Sequence, residues 1–346
     1  MDGKQTFFST WKRVLIPLAI LVIIAVIPGF NAAMFGIVIP YVAGLVFLIG
    51  FISRIMGWAK SPVPFRIPAT CGQQKTLPWI KNDHLDNPHT FWGVVGRMFL
   101  EVFFFRTLFR NTQAGLKDGP KLVYGGNKLL WAAGLAFHWS FLIILIRHVR
   151  FFTEPVPGFV NFVQGFDSLF QIGVPVLCLT DIVIVAALSY LFIRRVIFAQ
   201  VRFISLPADY FALGLLLAIV LTGIVMKYWI KVDNVGAKEL ALGLITLSPG
   251  LPKDPIGFMF YFHLFLVCTL LLYFPFSKLM HMGGIFLSPT RNMANNNRMR
   301  RHVNPWNPEV KLHTYEEYEE EFHDVMSAAG MPLEKTYAEA KPSETE

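Results

Sequence analysis

The chain has 346 residues and a formal charge of +8, with 54% hydrophobic residues, 33 Phe and only 16% charged residues. That balance is too apolar for soluble globular domains and predicts an integral membrane protein. Its three cysteines, Cys71, Cys178 and Cys268, stand far apart with no CxxC. This spacing excludes an iron–sulfur cluster, a thiolate zinc site or a disulfide framework carried by the chain itself. The basic residues are scattered between apolar segments rather than gathered into a stripe with exposed aromatics, so nucleic acid is not an expected partner.

The N-terminus, Met1 to Arg13, is polar and basic, and the apolar run behind it leads straight into a second one without a small-residue cleavage site. It reads as an uncleaved first span. Crossing a bilayer takes about 20 mostly apolar residues in a helix. By that measure the chain offers six spans: Val14 to Phe30, Met34 to Trp58, Asn127 to Phe151, Ser168 to Ile193, Pro207 to Trp229 and Ile256 to Met280. The expected fold class is therefore all-α, a polytopic membrane helix bundle with six transmembrane helices. Its expected divisions are an N-terminal two-span hairpin (1–58), a cytoplasmic loop (59–126), a four-span core (127–281) and a short soluble C-terminal tail (282–346).

Phe91 to Phe109 is very aromatic but carries Arg97, Glu101 and Arg106. Burying such charges in hydrocarbon is costly, so the segment reads as a helix lying in the cytoplasmic interface. Cytoplasmic loops carry the excess of Lys and Arg. With the N-terminus inside, only Arg147, Arg150, Lys227, Lys231, Lys238 and Lys253 remain outside, which places both termini in the cytoplasm and the chain in the inner membrane. The tail turns basic from Ser288 to His302 and acidic from Thr314 to Asp324, with one short helix expected around Tyr315 to Met326. No internal repeat of fixed period and no division into two similar halves is evident.

Four of the nine histidines lie within spans: His138 and His148 on the third, His263 and His281 on the sixth. An ionisable residue in a span is a functional hypothesis whose partner must be named. With about 1.5 Å and about 100° per residue, the first interval separates its histidines by about 15 Å and about 80°, and the second makes five whole turns over about 27 Å. The two helices run antiparallel in this topology. His138 then levels with His281 and His148 with His263, with a height mismatch of about 6 Å at each end that tilt absorbs. Two imidazoles from facing helices suit a six-coordinate haem iron for electron transfer. Each histidine could instead hydrogen-bond a neighbouring helix. A proton relay would need carboxylates, and the spans offer only Asp181 and Asp209, at no telling interval.

The two His–His intervals, with FPFSKLMH at Phe274 to His281, resemble the cytochrome b subunits related to the gamma subunit of respiratory nitrate reductase, over the third to sixth spans. The loop PATCGQQKTLPWIK (Pro68 to Lys81) and the tail SPTRNMANNNRMRRHVNPW (Ser288 to Trp306) are more closely similar to the DsrM family. These are cytochrome subunits of DsrMKJOP-type complexes associated with dissimilatory sulfite reduction. The heterodisulfide reductase cytochrome subunits are the nearest competitor. Two added N-terminal spans depart from the five-helix nitrate reductase pattern and suit the DsrM family. The resemblance implies two b haems, exchange of electrons with menaquinone, and transfer to a cytoplasmic iron–sulfur subunit of DsrK-like, heterodisulfide-reductase-like kind. That partner's expected substrate is the trisulfide form of a small sulfur-carrying protein.

On this reading His148 and His263 hold the iron of an outer haem, and His138 and His281 that of an inner one. Arg147, Arg150 and Lys227 could hydrogen-bond a quinone carbonyl or a haem propionate, or simply snorkel to the interface. Arg291, Arg298, Arg300 and Arg301 follow the second ligand helix. They serve to dock the iron–sulfur subunit, together with the Cys71 loop, or to fix topology and bind anionic membrane lipid. Phe137, Trp139, Phe260 and Phe262 could line haem pockets or be plain bundle core. The rival functions are a haem-free membrane anchor for a soluble enzyme and a secondary transporter. A cytochrome b that takes electrons from outside, as for a hydrogenase or formate dehydrogenase, is disfavoured by the basic cytoplasmic tail.

Overall fold

The structure, a computed structural model, describes residues 31–61, 72–117, 121–168, 178–296 and 312–334, with a few isolated positions besides. It comprises two compact units, Met1–His302 and Val303–Glu346.

Among the described residues, four helices are long and apolar enough to cross a membrane: α1 (Met34–Ala59), α4 (Lys128–Phe151), α8 (Pro207–Ile230) and α10, whose apolar run extends over Phe258–Phe276. They correspond to the second, third, fifth and sixth expected spans. Much of their apolar surface faces outward; Leu45 is 61% and Ile52 58% exposed on α1. A belt of that kind suits lipid rather than water. The first expected span, Val14 to Phe30, lies outside the described residues but for isolated positions. At the fourth stands α6 (Leu179–Ile197), with Asp181 in its first turn and Arg194 and Arg195 in its last. Those charges complement the helix dipole. They also keep the described helix less apolar than its neighbours, and 169–177 lie outside the described residues.

Between α1 and α4 come α2 (Phe91–Phe104), a short α3 (Arg106–Phe109), and strands β1 (Thr112–Lys117) and β2 (Lys121–Gly126). The strands form an antiparallel hairpin with Thr112 opposite Gly126 and Lys117 opposite Lys121. An all-α reading omits it, although Asp118-Gly119 is a turn signal and Gly119 has φ +73°. In α2 the charges do not form an outer polar face. Arg97 and Glu101 are 6% and 7% exposed, while Phe91 and Trp92 are 70% and 77% exposed. Arg97 and Glu101, four residues apart, share one face of the helix, and the structure turns that face inward.

After α4 come α5 (Gly158–Asp167), then α6, a short α7 (Ala199–Ile204), α8, α9 (Asn234–Ile245) and α10 (Phe258–Tyr273). Contacts run α4 to α6, α6 to α8, α8 to α10 and α10 to α1; α4 and α10 are not among the closely packed pairs. Phe35 meets Phe265 and Phe47 meets Phe274, so α1 and α10 run parallel. Their approach is close: a Cβ on Gly50 would come within 2.8 Å of Pro275. Tyrosine hydroxyls tie the ends of neighbouring helices together. Tyr210 donates to Arg195 O and Tyr273 to Ala208 O. The mid-bundle core is Ile184, Leu188 and Leu216, packed by Phe137, Phe141, Ile144 and Leu270. A second core of Phe35, Ala237, Leu240, Ile256 and Tyr261 closes the end where α10 begins.

The sixth span is not one continuous helix. After Tyr273 it passes through two tight turns, Phe274–Phe276 and Lys278–Met280, before α11 (His281–Leu287). Pro275 lacks a backbone donor, and Ser277 is extended (φ −116°, ψ 176°) with its hydroxyl accepting from Leu279 N. Five whole turns between His263 and His281 therefore do not describe this chain. In the second unit α12 (Tyr315–Ala328) starts where a tail helix is expected, capped reciprocally by Thr314 and Glu317.

Candidate functional site: two histidine pairs and a buried charge cluster

Helices α4 and α10 are not closely packed on each other, and the seam between them is bordered by His138 and His148 on α4, by His263 on α10 and by His281, which begins α11. The rings of His138 and His281 stand with centroids 6.0 Å apart at 76°. At the other end of the bundle His148 and His263 lie close enough to interact electrostatically. The antiparallel arrangement thus sets 138 against 281 and 148 against 263.

In each ring Nδ1 is engaged. His138 donates to Gly134 O at 2.8 Å, His148 to Ile144 O at 2.7 Å and His281 to Lys278 O at 2.8 Å. A carbonyl only accepts, so these rings carry their proton on Nδ1 and keep the Nε2 lone pair. His263 Nδ1 lies 2.9 Å from Thr222 Oγ1 on α8. Two axial imidazoles with metal–nitrogen bonds of about 2 Å, and ring nitrogens about 1 Å from the ring centres, have centroids about 6 Å apart. The His138–His281 separation and the free Nε2 positions fit two axial ligands on one iron. Among the described residues no cluster of three or more His, Cys, Asp or Glu could hold a metal ion by protein donors alone.

His281 lines a cleft of about 220 Å³ with Leu191, Ala212, Leu213 and Tyr273, and with Arg195 and Lys278 at its rim. Lys278 and Arg195 are held by Asp209 at 2.8 and 3.8 Å. Phe105 sits between α2 and α3 at φ +51° and presents its ring to His138 at 4.9 Å, edge to face. That left-handed conformation is unusual for a bulky residue. It is held by tryptophans of α4: Trp131 and Trp139 donate to the carbonyls of Phe104 and Phe103. Of the other expected pocket aromatics, Phe137 also contacts His138, while Phe260 packs against the core that begins α10.

Beside His148 lies a network of charges. Asp181 accepts from Tyr228 at 2.6 Å and Lys227 at 2.8 Å and lies 3.5 Å from Arg147. Arg147 also donates to Asp167 at 2.6 Å, and Asp167 holds the N–H and hydroxyl of Thr180. Cys178 joins through its backbone N–H to Tyr228 and its Sγ to Lys227. A π-helical turn at Met226–Ile230 ends α8 and carries Lys227 and Tyr228, a device common at functional sites. Of the three expected quinone residues, Arg147 and Lys227 are therefore brought onto one carboxylate. Arg150 is not, and its buried Nε has no hydrogen-bond partner. The hub, Asp181, carried no positional signal because its partners are remote in sequence.

Among the expected docking residues, Arg291 follows α11 with its N–H on Ser288 O. Cys71, Arg298, Arg300 and Arg301 lie outside the described residues. The described parts of the loop and tail are joined. Buried Asn295 donates from its side chain to Asn87 Oδ1 and from its backbone to Pro88 O, both at 2.6 Å.

A helix bundle whose long apolar helices turn their side chains outward defines a membrane protein of the helical class. Residues 88–301 match the family model described as the nitrate reductase gamma subunit. The chain belongs to that family. It is also similar to the "Hdr-like menaquinol oxidoreductase cytochrome b-like subunit" of Archaeoglobus fulgidus. The two are 48% identical over 280 residues, covering 79% of this chain and 83% of the relative. The protein of the same name from Archaeoglobus profundus is 41% identical over 281 residues, again 79% of this chain and 83% of the relative.

Proposed function

We propose that the chain is a di-haem cytochrome b, the membrane subunit of a menaquinol-linked oxidoreductase that delivers electrons to a cytoplasmic iron–sulfur subunit. The observation that carries this reading is the set of four span histidines, His138 ring to ring with His281 and His148 within electrostatic reach of His263, each ring with Nδ1 engaged. Relatives named for menaquinol oxidation and a heterodisulfide-reductase-like complex support it.

His138 with His281, and His148 with His263, would hold the haem irons through their Nε2 lone pairs. Two b haems held so would supply one-electron carriage between the two faces of the bilayer. With Lys and Arg concentrated inside, both termini are cytoplasmic and the His148–His263 pair lies at the outer face. Menaquinol then binds beside that pair. Arg150, with its buried free Nε, is the best placed of the three cations to donate to a quinone oxygen. Arg147 and Lys227 hold the carboxylates that frame the site. On the inner side the joined loop and tail form the approach for the partner. The likeness of Pro68–Lys81 and Ser288–Trp306 to the DsrM family supports a DsrK-like partner and a place in dissimilatory sulfur metabolism.

The deciding experiment is a dithionite-reduced minus oxidised spectrum of the purified chain, with a pyridine haemochrome assay. About two b haems per chain are expected. Well-folded protein without haem would overturn this reading in favour of a membrane anchor.

A further inference from the structure

The four span histidines are not held alike. Three give the Nδ1 proton to a backbone carbonyl close by in their own segment: Gly134, Ile144 and Lys278. His263 alone among them meets a side chain from another helix, Thr222 of α8, at 2.9 Å.

The direction of that hydrogen bond follows from proton counting. Thr222 has one hydroxyl proton, and its Oγ1 lies 2.8 Å from Ala218 O and 2.9 Å from Ile219 O. Those carbonyls only accept, so the hydroxyl proton goes to them and Oγ1 accepts from His263 Nδ1–H. The reverse direction would move the ring proton to Nε2 and remove the lone pair that a metal needs. The neighbouring Gly223 keeps the helix surface low here, since a Cβ would meet His263 Cε1 at 3.4 Å. Ring and hydroxyl are thus brought together by a glycine and a threonine in successive positions of α8.

We propose that Thr222 is a positioning residue that fixes the tautomer of His263 and sets the potential of the haem held by His148 and His263, independently of the other haem. The proposal rests on the ligation described above. An acceptor on the non-ligating nitrogen makes an imidazole more basic, which favours the oxidised iron, and hydrogen bonding to the ligand is one of the levers on haem potential. For the other three histidines that acceptor is main chain. For His263 the Thr222 hydroxyl stands beside the Ile219 carbonyl of the same helix, and this side-chain acceptor can be removed by substitution without altering either ligand helix.

The test compares the full-length protein, in its membrane complex, with Thr222→Ser, Thr222→Val and Thr222→Ala. Haem content is read by pyridine haemochrome and the two midpoints by redox titration. Thr222→Ser retains the hydroxyl and should match the unmodified protein. Thr222→Val keeps the shape without the acceptor, and Thr222→Ala removes the acceptor without adding bulk. Both should move one midpoint to a more positive potential and leave the other in place; loss of one haem with the other unchanged is the stronger form of the same result. Unchanged potentials in both variants, two potentials moving together, or Thr222→Ser behaving like Thr222→Val would overturn the proposal while leaving the ligation intact. Absence of haem from the unmodified protein would overturn the ligation itself, and the proposal with it.

Discussion

His138 and His281 face each other with ring centroids 6.0 Å apart, although one sits inside a regular helix and the other begins a new one after two tight turns. His138→Ala and His281→Ala should therefore lose the same haem, and His148→Ala and His263→Ala the other. Each single variant should retain about one haem per chain. Redox titration checks the pairing, since the surviving midpoint must be common to the two variants of a pair. Different survivors within a pair would sink the antiparallel assignment.

Asp181 holds Lys227 and Tyr228 and lies near Arg147, with its side chain 11% exposed. Removing one member of a buried pair leaves the other charge uncompensated, at about 3–5 kcal/mol. For Asp181→Ala we expect the lower end, about 3 kcal/mol, because the Lys227 side chain retains 34% exposure. Thermal unfolding in detergent measures the loss. Asp181→Ala with Lys227→Ala should recover part of it.

Asn295 joins the tail to the loop through Asn87 and Pro88. Asn295→Leu strands the buried Asn87 oxygen and should open the loop at a cost of about 1–3 kcal/mol. Hydrogen exchange over residues 72–90 should rise while haem content stays constant. A fall in haem content would show that the loop supports the bundle as well.

The same loop should be sensitive to acid. Asp83 accepts from the N–H groups of Asp86 and Leu85, chiefly the first, and these bonds hold its carboxyl below the usual range. A carboxylate favoured in the folded loop contributes stability above its unfolded pKa of about 3.9 and loses it as pH falls through the lower folded value. Protection of the 72–90 backbone should thus be flat near neutrality and decline below about pH 4. Asp83→Asn should lower protection at neutral pH and flatten that decline.

Much of the helical plan could be read from apolar length alone, and the antiparallel order of the histidines pointed to the contact of His138 with His281. Four features could not be read. The break after Tyr273 hides in FPFS, where a proline near a helix end is compatible with either a kink or a stop. Periodicity put Arg97 and Glu101 on one face of α2 but carries no sign for which way that face points. Asp181 looked isolated because Lys227 and Tyr228 are 46 and 47 residues away, and only folding shows what a carboxylate in a span is paired with. Thr222 was invisible for the same reason: its importance lies in a neighbour on another helix.

The seam between α4 and α10 bears on how such a protein is made. Helices that reach each other through a shared cofactor, rather than through close packing, close fully only when that cofactor arrives. On the proposed ligation, haem supply then becomes a checkpoint in biogenesis: chains inserted during haem shortage would hold a bundle of lower stability, exposed to membrane proteases before any partner subunit could dock.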